Sequence, residues 1–409
     1  MNRTTTASPI ALPPSAPAAA RTVFRLLRQL KVGTLDVQLF DGTQLHFGSR
    51  EALEPRAALR LASWDVCSRA LKSGDIGFAE SYIDGQWTTP DLVALLRVFI
   101  ANRQAVEEVI YGSWWGSLLY RAKHLLNRNS RQGSRKNIHA HYDIGNPFYR
   151  LWLDETMNYS SALFGGQLEQ PMAQAQHAKV RRALTQCALQ PGGRLLEIGC
   201  GWGALAEGAR RDFDARVVGV TLSHEQLVFA RERLERQQLG DGADLRLQDY
   251  RDIRDPAFDA IASIEMFEAV GREYWDQYFS TVARLLRPGG RACIQSITID
   301  DALFDRYARS TDFIQQYIFP GGMLPSREQF RLHAERAGLE VVDEFAFGLD
   351  YAETLKRWRA SFLAHEADVR QQGFDTRFIS TWEFYLAYCE AAFATGQTDV
   401  VQFTLRRPS

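Results

Sequence analysis

The stretch EIGCGWG, Glu197 to Gly203, decides the fold of this chain. It follows the apolar segment RLLEI, which is typical of a buried strand, and it precedes ALAEGARRDF, which has the spacing of a helix. Glycines at positions 199, 201 and 203 allow a sharp turn and let the backbone approach a ligand closely. The spacing is not the G-x-G-x-x-G of dinucleotide enzymes, and no phosphate-binding lysine follows, which excludes a P-loop. The alternative is a glycine-rich turn that binds no ligand.

Strand and helix patterns alternate around this loop. The segments ARVVGVTL, DLRLQDY, FDAIASIEMF and RACIQSITI are predicted strands, and SHEQLVFARERLERQQL is a predicted helix between the first two. This alternation is typical of a mostly parallel α/β sheet, in which ligands bind beyond the carboxyl ends of the strands. A loop of this spacing at that edge fits S-adenosylmethionine (SAM). We therefore predict a Rossmann-like fold of the class I SAM-dependent methyltransferases, and this fold class implies a mostly parallel sheet of seven strands.

The length and composition indicate several globular domains. The 409 residues are 45% apolar and 24% charged, as in ordinary globular proteins. We predict a flexible tail over residues 1–20, a small α+β domain over 21–110, a linker over 111–137 and a catalytic domain over 138–409. The five cysteines are scattered and show neither a CxxC pair nor a Cys/His metal spacing. This favours a reducing, cytoplasmic compartment and no metal site.

Charge is distributed unevenly along the chain. Residues 1–140 hold 18 Lys/Arg and 11 Asp/Glu, whereas the remainder holds 30 and 38. The basic excess is greatest in RAKHLLNRNSRQGSRK (residues 121–136), directly after the aromatic VIYGSWWGSLLY. Aromatic rings beside cations suit an anionic membrane surface, and the alternative is a solvated linker between domains. No nucleic-acid-binding motif is present, so we expect no nucleic-acid partner.

Several ordered motifs resemble the cyclopropane fatty acid synthases and their mycolic acid relatives. They are SGDIGFAESYIDGQW (73–87), HAHYDIGNPFYRLWLDETMNYSSALF (139–164), the glycine loop, GVTLSHEQ (219–226), MFEAVG (266–271), YIFPGG (317–322) and LDYAETLKRW (349–358). The resemblance implies an N-terminal lipid-binding domain and a catalytic domain that transfers the methyl group of SAM to a cis double bond in a phospholipid acyl chain. It also implies a peripheral protein at the inner face of the cell membrane, and it allows a homodimer.

The glycine loop and the resemblance together give the residues expected to bind SAM. Thr221 stands where many such folds place an acid for the ribose hydroxyls, and Asp249 follows the third strand, where it could meet the adenine. Ser223 and Gln226 form an S-x-x-Q capping box for the next helix. The predicted SAM-binding residues are Tyr159, Ser160, Glu197, Gly199, Cys200, Gly201, Gly203, Thr221, Leu222, Gln226, Asp249 and Tyr250.

The resemblance also implies how a proton leaves the substrate. Methyl transfer to a double bond leaves a carbocation, and in the family the base that deprotonates it is thought to be a bound bicarbonate. A Cys, a Glu, a His, a backbone amide and a Tyr hold that anion. The matching positions here are Ser161, Glu268, Gln295, the backbone of Ile297, and Tyr351. Two of the four side chains therefore depart from the family pattern, since Ser161 replaces the Cys and Gln295 replaces the His.

Gln295 raises the sharpest question, because it lies within the apolar strand ACIQSITI (292–299). A buried amide without partners costs about 1–3 kcal/mol, and unlike His it cannot titrate. Its predicted partner is an anion or water held together with Ser161, Glu268 and Tyr351. An altered base could yield a methyl- or methylene-branched chain instead of a ring. Two further hypotheses are a SAM enzyme for a soluble small molecule and a SAM- and lipid-binding protein without catalysis.

Overall fold

The computed structural model describes residues 12–48, 55–103 and 144–409. The helices are α1 (Ala18–Leu27), α2 (Asp65–Ile83), α3 (Leu92–Ala101), α4 (Asn146–Trp152), α5 (Met172–Gln186), α6 (Ala204–Phe213), α7 (His224–Arg236), α8 (Trp275–Leu285), α9 (Asp301–Tyr307), α10 (Phe313–Tyr317), α11 (Arg327–Arg336), α12 (Gly348–Ala364), α13 (Glu366–Gln371) and α14 (Thr376–Ala394). The strands are β1 (Thr34–Gln38), β2 (Gln44–Gly48), β3 (Arg56–Leu61), β4 (Trp87–Thr88), β5 (Arg194–Ile198), β6 (Arg216–Thr221), β7 (Ala243–Leu247), β8 (Phe258–Ile264), β9 (Leu286–Ile299), β10 (Glu340–Ala346) and β11 (Thr398–Arg406). Within these described ranges, no helix is both long enough and apolar enough to cross a membrane.

Contacts divide the chain into two compact units, and the smaller one contains a four-stranded sheet. This unit comprises Met1–Arg121 and Thr376–Ala391, and its strand order is β2-β1-β3-β4. The β1–β2 hairpin turns at Asp41 and Gly42, and Gly42 has a φ of 87°. Contacts group most of α14 with this unit, whereas our sequence bounds assign it to the catalytic domain. The hydroxyl of Tyr82 donates to Glu383 of α14 (2.8 Å).

The larger unit, Ala122–Asp375 and Ala392–Ser409, contains the predicted seven-stranded sheet. Its order is β10-β11-β9-β8-β5-β6-β7, and β11 is the strand that runs antiparallel to its neighbours. Apolar side chains of α5, α6 and α7 cover one face of the sheet, and those of α8 and α11 cover the other. Burial on both faces explains why β5, β6 and β8 are almost continuously apolar.

The register of the sheet brings three distant polar positions into one neighbourhood. Ile264 at the end of β8 pairs with Gln295 of β9, and Gln295 pairs in turn with Gln402 of β11. Glu265 follows directly after β8 and donates its backbone N–H to the carbonyl of Gln295 (2.8 Å). The carboxyl ends of β5, β6 and β8 open on the same edge, which is where a ligand binds in such sheets.

Candidate active site

A cavity lies at this edge of the sheet, and most of the predicted SAM-binding residues line it. The lining includes Tyr159, Ser160, Glu197, Gly199, Cys200, Gly201, Thr221, Leu222, Gln226, Asp249 and Tyr250. Gly203 is absent from the lining. A Cβ on Gly203 would lie 2.9 Å from the Cβ of Ala230, so this glycine allows α6 to pack closely against α7.

The glycine loop provides a cradle that fits SAM. The backbone N–H groups of Gly199 and Cys200 both donate to the carbonyl of Val220 (2.9 and 3.0 Å), which ties the loop to β6. Gly201 has a φ of 50°, and no atom lies within 4 Å of the place where its Cβ would be. Glu197 has a buried Oε2 atom without a hydrogen-bond partner among the described residues, and burial raises the pKa of its carboxyl to about 8. Open space over Gly201 and an unpaired acceptor at Glu197 match a polar ligand with hydrogen-bond donors.

The loop after β6 is held by its own side chains. The Ser223 hydroxyl accepts from the backbone N–H of Gln226 (3.3 Å), which confirms the predicted cap of α7. The reciprocal half of the predicted capping box does not form. The side-chain oxygen of Gln226, Oε1, instead accepts from the hydroxyl of Thr221 (3.2 Å). Thr221 thus positions Gln226 at the wall of the cavity.

Asp249 lies at the cavity wall and pairs with Arg251, a residue that was not predicted from the sequence. Its Oδ1 accepts from the backbone N–H and the Nε of Arg251 (3.0 and 2.9 Å), and its Oδ2 accepts from Nη2 (2.5 Å). Both side chains are buried. The pair fixes the orientation of the Asp249 carboxylate, while its contact with adenine stays a prediction. The signal in the sequence was an arginine two residues after the strand-end acid.

A second missed residue, Glu265, is the centre of the site. One carboxylate oxygen, Oε1, accepts from the backbone N–H of Ser161 (2.9 Å) and from Nε2 of Gln295 (2.7 Å). The other, Oε2, accepts from the hydroxyl of Tyr351 (2.6 Å). Glu265 also lines the cavity, whereas these three donors do not. An acid directly after β8, at the ligand-binding edge, was the signal available in the sequence.

The structure divides the predicted bicarbonate-binding residues between two carboxylates. Glu265 accepts hydrogen bonds from Tyr351, Gln295 and the backbone N–H of Ser161. The Ser161 hydroxyl donates instead to the carbonyl of Ala162 (2.9 Å). The backbone N–H of Ile297 donates to Oε1 of Glu268, as does the hydroxyl of Ser296 (3.1 Å).

The predicted contact of Gln295 with an anion or water stays a prediction. Its two side-chain partners in the structure are Glu265 and Gln402. Sequence patterns could not reveal these partners, because the residues become neighbours only through the pairing of β9 with β8 and β11.

The two glutamates are protonated more readily than exposed ones. Burial raises the pKa of Glu265, against the opposing effects of its three donors and of Lys179. Burial, followed by the nearby Glu265 charge, raises the pKa of Glu268 to about 8. The Oε2 atom of Glu268 is buried and has no hydrogen-bond partner in the described part of the chain. A negative charge near a carboxyl group disfavours its ionised form and so raises its pKa.

Lys179 of α5 provides a buried positive charge near these acids. Its ammonium donates to the hydroxyl of Ser160 (2.6 Å) and to Oδ1 of Asn158 (3.3 Å). Burial lowers the pKa of Lys179 to about 8, while the charges of Glu265, Asp154 and Glu197 oppose that change. Lys179 thus holds Ser160, which lines the cavity, and provides a positive charge near the acids. It is the third residue that the sequence analysis missed.

The strand order, the glycine loop after the central strand and the cavity at the carboxyl edge define a class I SAM-dependent methyltransferase. A family model described as mycolic acid cyclopropane synthetase matches residues 129–403, and the chain belongs to this family, whose members act on lipid acyl chains.

Relatives and solved structures bear out this membership. A tuberculostearic acid methyltransferase, UfaA1 of Mycobacterium tuberculosis, is 38% identical over 96% of this chain and 93% of its own length. A cyclopropane-fatty-acyl-phospholipid synthase of Escherichia coli is 34% identical over 86% of this chain and 88% of its own length. A crystal structure of the mycolic acid cyclopropane synthase CmaA1, complexed with SAH and CTAB, is 33% identical and covers 66% of this chain and 98% of that chain, with a TM-score of 0.62.

Proposed function

We propose that this enzyme transfers the methyl group of SAM to a double bond in an unsaturated acyl chain of a membrane phospholipid, and that Glu265 accepts the proton which the substrate then loses. The observation that carries this proposal is the hydrogen-bonding of Glu265. Two side chains that the family resemblance assigned to bicarbonate, those of Gln295 and Tyr351, and the backbone N–H of Ser161 converge on this one carboxylate. The carboxylate also lines the cavity of the glycine loop.

Bound SAM supplies an electrophilic methyl group, whose transfer to the double bond leaves a carbocation on the acyl chain. Glu265 then takes a proton from that cation, so the electron pair of the broken C–H bond restores a neutral product. A raised pKa makes Glu265 a stronger base than an exposed carboxylate, because burial favours its protonated form. Lys179 holds Ser160 at the cavity wall. The chain thereby supplies its own base in place of bicarbonate.

The product depends on which C–H bond the cation loses. Loss from the added methyl group with closure onto the cation gives a cyclopropane ring. A hydride shift before that loss leaves a methylene branch, and loss from the neighbouring chain carbon leaves a methyl-branched alkene. We propose an open, branched product, because the similarity that spans 96% of this chain is to an enzyme named for a methyl-branched acid. The ring is the alternative, supported by the similarity to the cyclopropane synthases.

The test is expression in a bacterium that lacks its own synthase, followed by mass spectrometry of the phospholipid acyl chains. We expect unsaturated chains to gain the mass of one CH₂ group, and nuclear magnetic resonance of the purified esters to show olefinic carbon rather than ring protons. Glu265→Gln, expressed to the same level, is the matched control and should give no gain.

Other outcomes identify the other hypotheses. Ring protons would overturn the branched product but leave acyl methylation intact. A purified enzyme that turns over SAM with soluble amines but not with phospholipid vesicles would support the soluble-substrate hypothesis. No SAM-dependent mass gain with any lipid, despite SAM binding, would support a binding protein without catalysis. The proposed peripheral membrane location and homodimer are tested by vesicle binding and by sedimentation.

A further inference from the structure

A buried row of amide side chains leads from α5 to Glu265. Arg182 donates from Nη1 to Oε1 of Gln402 (2.8 Å), and Gln402 donates from Nε2 to Oε1 of Gln295 (3.0 Å). Gln295 then donates from Nε2 to Glu265 (2.7 Å). Both glutamines are fully buried, so neither amide can exchange these partners for water.

The direction of this row is determined at Gln402 by two independent partners. The guanidinium of Arg182 is a donor only, so it requires the carbonyl oxygen of the Gln402 amide. The backbone carbonyl of Lys179 is an acceptor only, and it accepts from the Gln402 NH₂ group (3.3 Å). Arg182 is itself held by Asp343 of β10 (2.8 Å). With Gln402 fixed in this way, its NH₂ group must face the oxygen of Gln295.

The orientation of Gln295 follows from that of Gln402. An amide can rotate by a half turn and exchange its donor and acceptor at little steric cost. Opposite an NH₂ group, Gln295 presents its oxygen to β11 and its own NH₂ group to Glu265. The reverse orientation would set two NH₂ groups against each other at Gln402, and an oxygen against the carboxylate at Glu265.

We propose that Gln402, held by Arg182, is a positioning residue that keeps the Gln295 amide turned as a donor to Glu265. This inference rests on the proposed role of Glu265 as the proton acceptor. Gln402 does not line the cavity and touches no reacting atom. Its effect is on the proton affinity of Glu265, since a donor stabilises the ionised carboxylate and an opposed oxygen stabilises the protonated one.

Other charged and titratable groups also face Glu265 and stay constant in the test. They are Tyr351 on α12, Lys179 on α5 and Glu268 after β8. None of them contacts Gln402 through its side chain in the described hydrogen bonds. A change at Gln402 can therefore be read at Glu265 without replacing any of these groups.

The experiment uses Gln402→Glu, whose carboxylate offers only acceptors to both Arg182 and Gln295. The Gln295 amide should then turn its NH₂ group toward position 402 and its oxygen toward Glu265. Infrared titration of the purified enzyme gives the protonation of Glu265 directly, identified as the carboxyl band that Glu265→Gln removes. We expect Gln402→Glu to raise the pKa of Glu265 by about one unit, and the rising limb of the pH–activity curve to move by the same amount. The neutral Gln402→Met should give a smaller change in the same direction, because it frees Gln295 to rotate.

Controls separate orientation from added charge and from general damage. Thr404→Val removes another buried side-chain hydrogen bond from β11, to Gln186, and should leave Glu265 unchanged. In a Gln295→Met background no amide remains to be turned, so most of the effect of Gln402→Glu should disappear. Equal shifts with and without Gln295 would overturn the proposal, as would no shift in any Gln402 variant.

The infrared titration needs no turnover, which keeps this proposal separable from the proposed function. Full activity of Glu265→Gln would refute Glu265 as the base, yet the shift caused by Gln402→Glu could still be measured. If Glu265→Gln is inactive and the Gln402 variants titrate like wild type, the proposed function stands and the positioning role falls.

Discussion

At Glu265 the backbone itself is unusual for its residue type. Its φ is 48°, in the left-handed region that costs a non-glycine residue about 1–2 kcal/mol. The three donors to its carboxylate, and the hydrogen bond from its N–H to Gln295, hold the residue there. A strained residue that faces a ligand cavity is more readily explained by function than by folding.

Removing the Glu265 side chain should reopen a site for a free anion. Glu265→Gly also suits the positive φ, and it leaves the donors of Ser161, Gln295 and Tyr351 around an empty space. We expect activity to fall by about 10²–10⁴-fold and added bicarbonate to restore part of it. Lipid methylation assayed with and without bicarbonate gives the answer.

Glu265→Gln is the matched control for that rescue, since its amide fills the same space and should block the anion. Binding of SAM, measured by calorimetry, should be retained in both variants. If bicarbonate restores activity to both variants, or to neither, the hypothesis that the Glu265 carboxylate occupies the anion site is wrong.

Glu268 should make stability depend on pH in a defined direction. Its folded pKa of about 8 lies above the 4.5 of an ordinary carboxyl, so the folded state keeps a proton that the unfolded state loses. The stability that this group contributes is complete below about pH 4.5 and is lost as the pH rises toward about 8. Glu268→Gln cannot titrate. We therefore expect the Tm of wild type to fall relative to Glu268→Gln between about pH 5 and about pH 8, measured by scanning calorimetry.

The exposed Glu340 of β10 offers the control, because Glu340→Gln should follow wild type across that range. Glu197 has a raised pKa of the same kind but is present in all three proteins. Lys179 acts in a separate window, between its folded pKa of about 8 and the ordinary 10.5. Parallel curves for wild type and Glu268→Gln would show that Glu268 titrates normally.

At the scale of elements, two glycines of the same loop have different tasks. Gly203 has a φ of 83°, and its Cβ would collide with Ala230 of α7, so Gly203→Ala should separate α6 from α7. Gly201 has a φ of 50° and open space on the cavity side, so Gly201→Ala should fold but obstruct the ligand. We expect Gly203→Ala to lower stability by about 2–3 kcal/mol and Gly201→Ala to weaken SAM binding. Denaturation and calorimetry on both variants distinguish the two effects, and equal losses of stability would contradict this division.

The elements also show why the sequence could predict the fold but only part of the site. The strand β5, its glycine loop and α6 are local patterns, and the alternation after them predicts the sheet. The partners of Glu265 come from positions 161, 295 and 351, and only the tertiary fold brings them together. Lys179 lies on the buried face of α5, and lysine is a residue type that is normally exposed, so local patterning does not report its burial near acids.

For the whole molecule, the uneven charge bears on how the enzyme reaches a lipid substrate. Residues 1–140 carry seven more basic than acidic side chains, and the remainder carries eight more acidic ones. Six Lys/Arg fall in residues 121–136, which lie outside the described part of the chain, as do the aromatic residues that precede them. An anionic surface attracts each such charge by about 1 kcal/mol, and salt screens this attraction.

Replacing the six basic residues of this segment should therefore abolish membrane binding and leave SAM binding intact. The changes are Arg121→Gln, Lys123→Gln, Arg128→Gln, Arg131→Gln, Arg135→Gln and Lys136→Gln. We expect the wild type to sediment with phosphatidylglycerol vesicles, to release as salt rises, and to bind phosphatidylcholine weakly, while the variant binds neither. SAM affinity should be unchanged in the variant, since the described residues that line the cavity all lie beyond position 156. Equal sedimentation of both proteins would assign this segment to a solvated linker, because the loss of its six charges would then have had no effect on membrane binding.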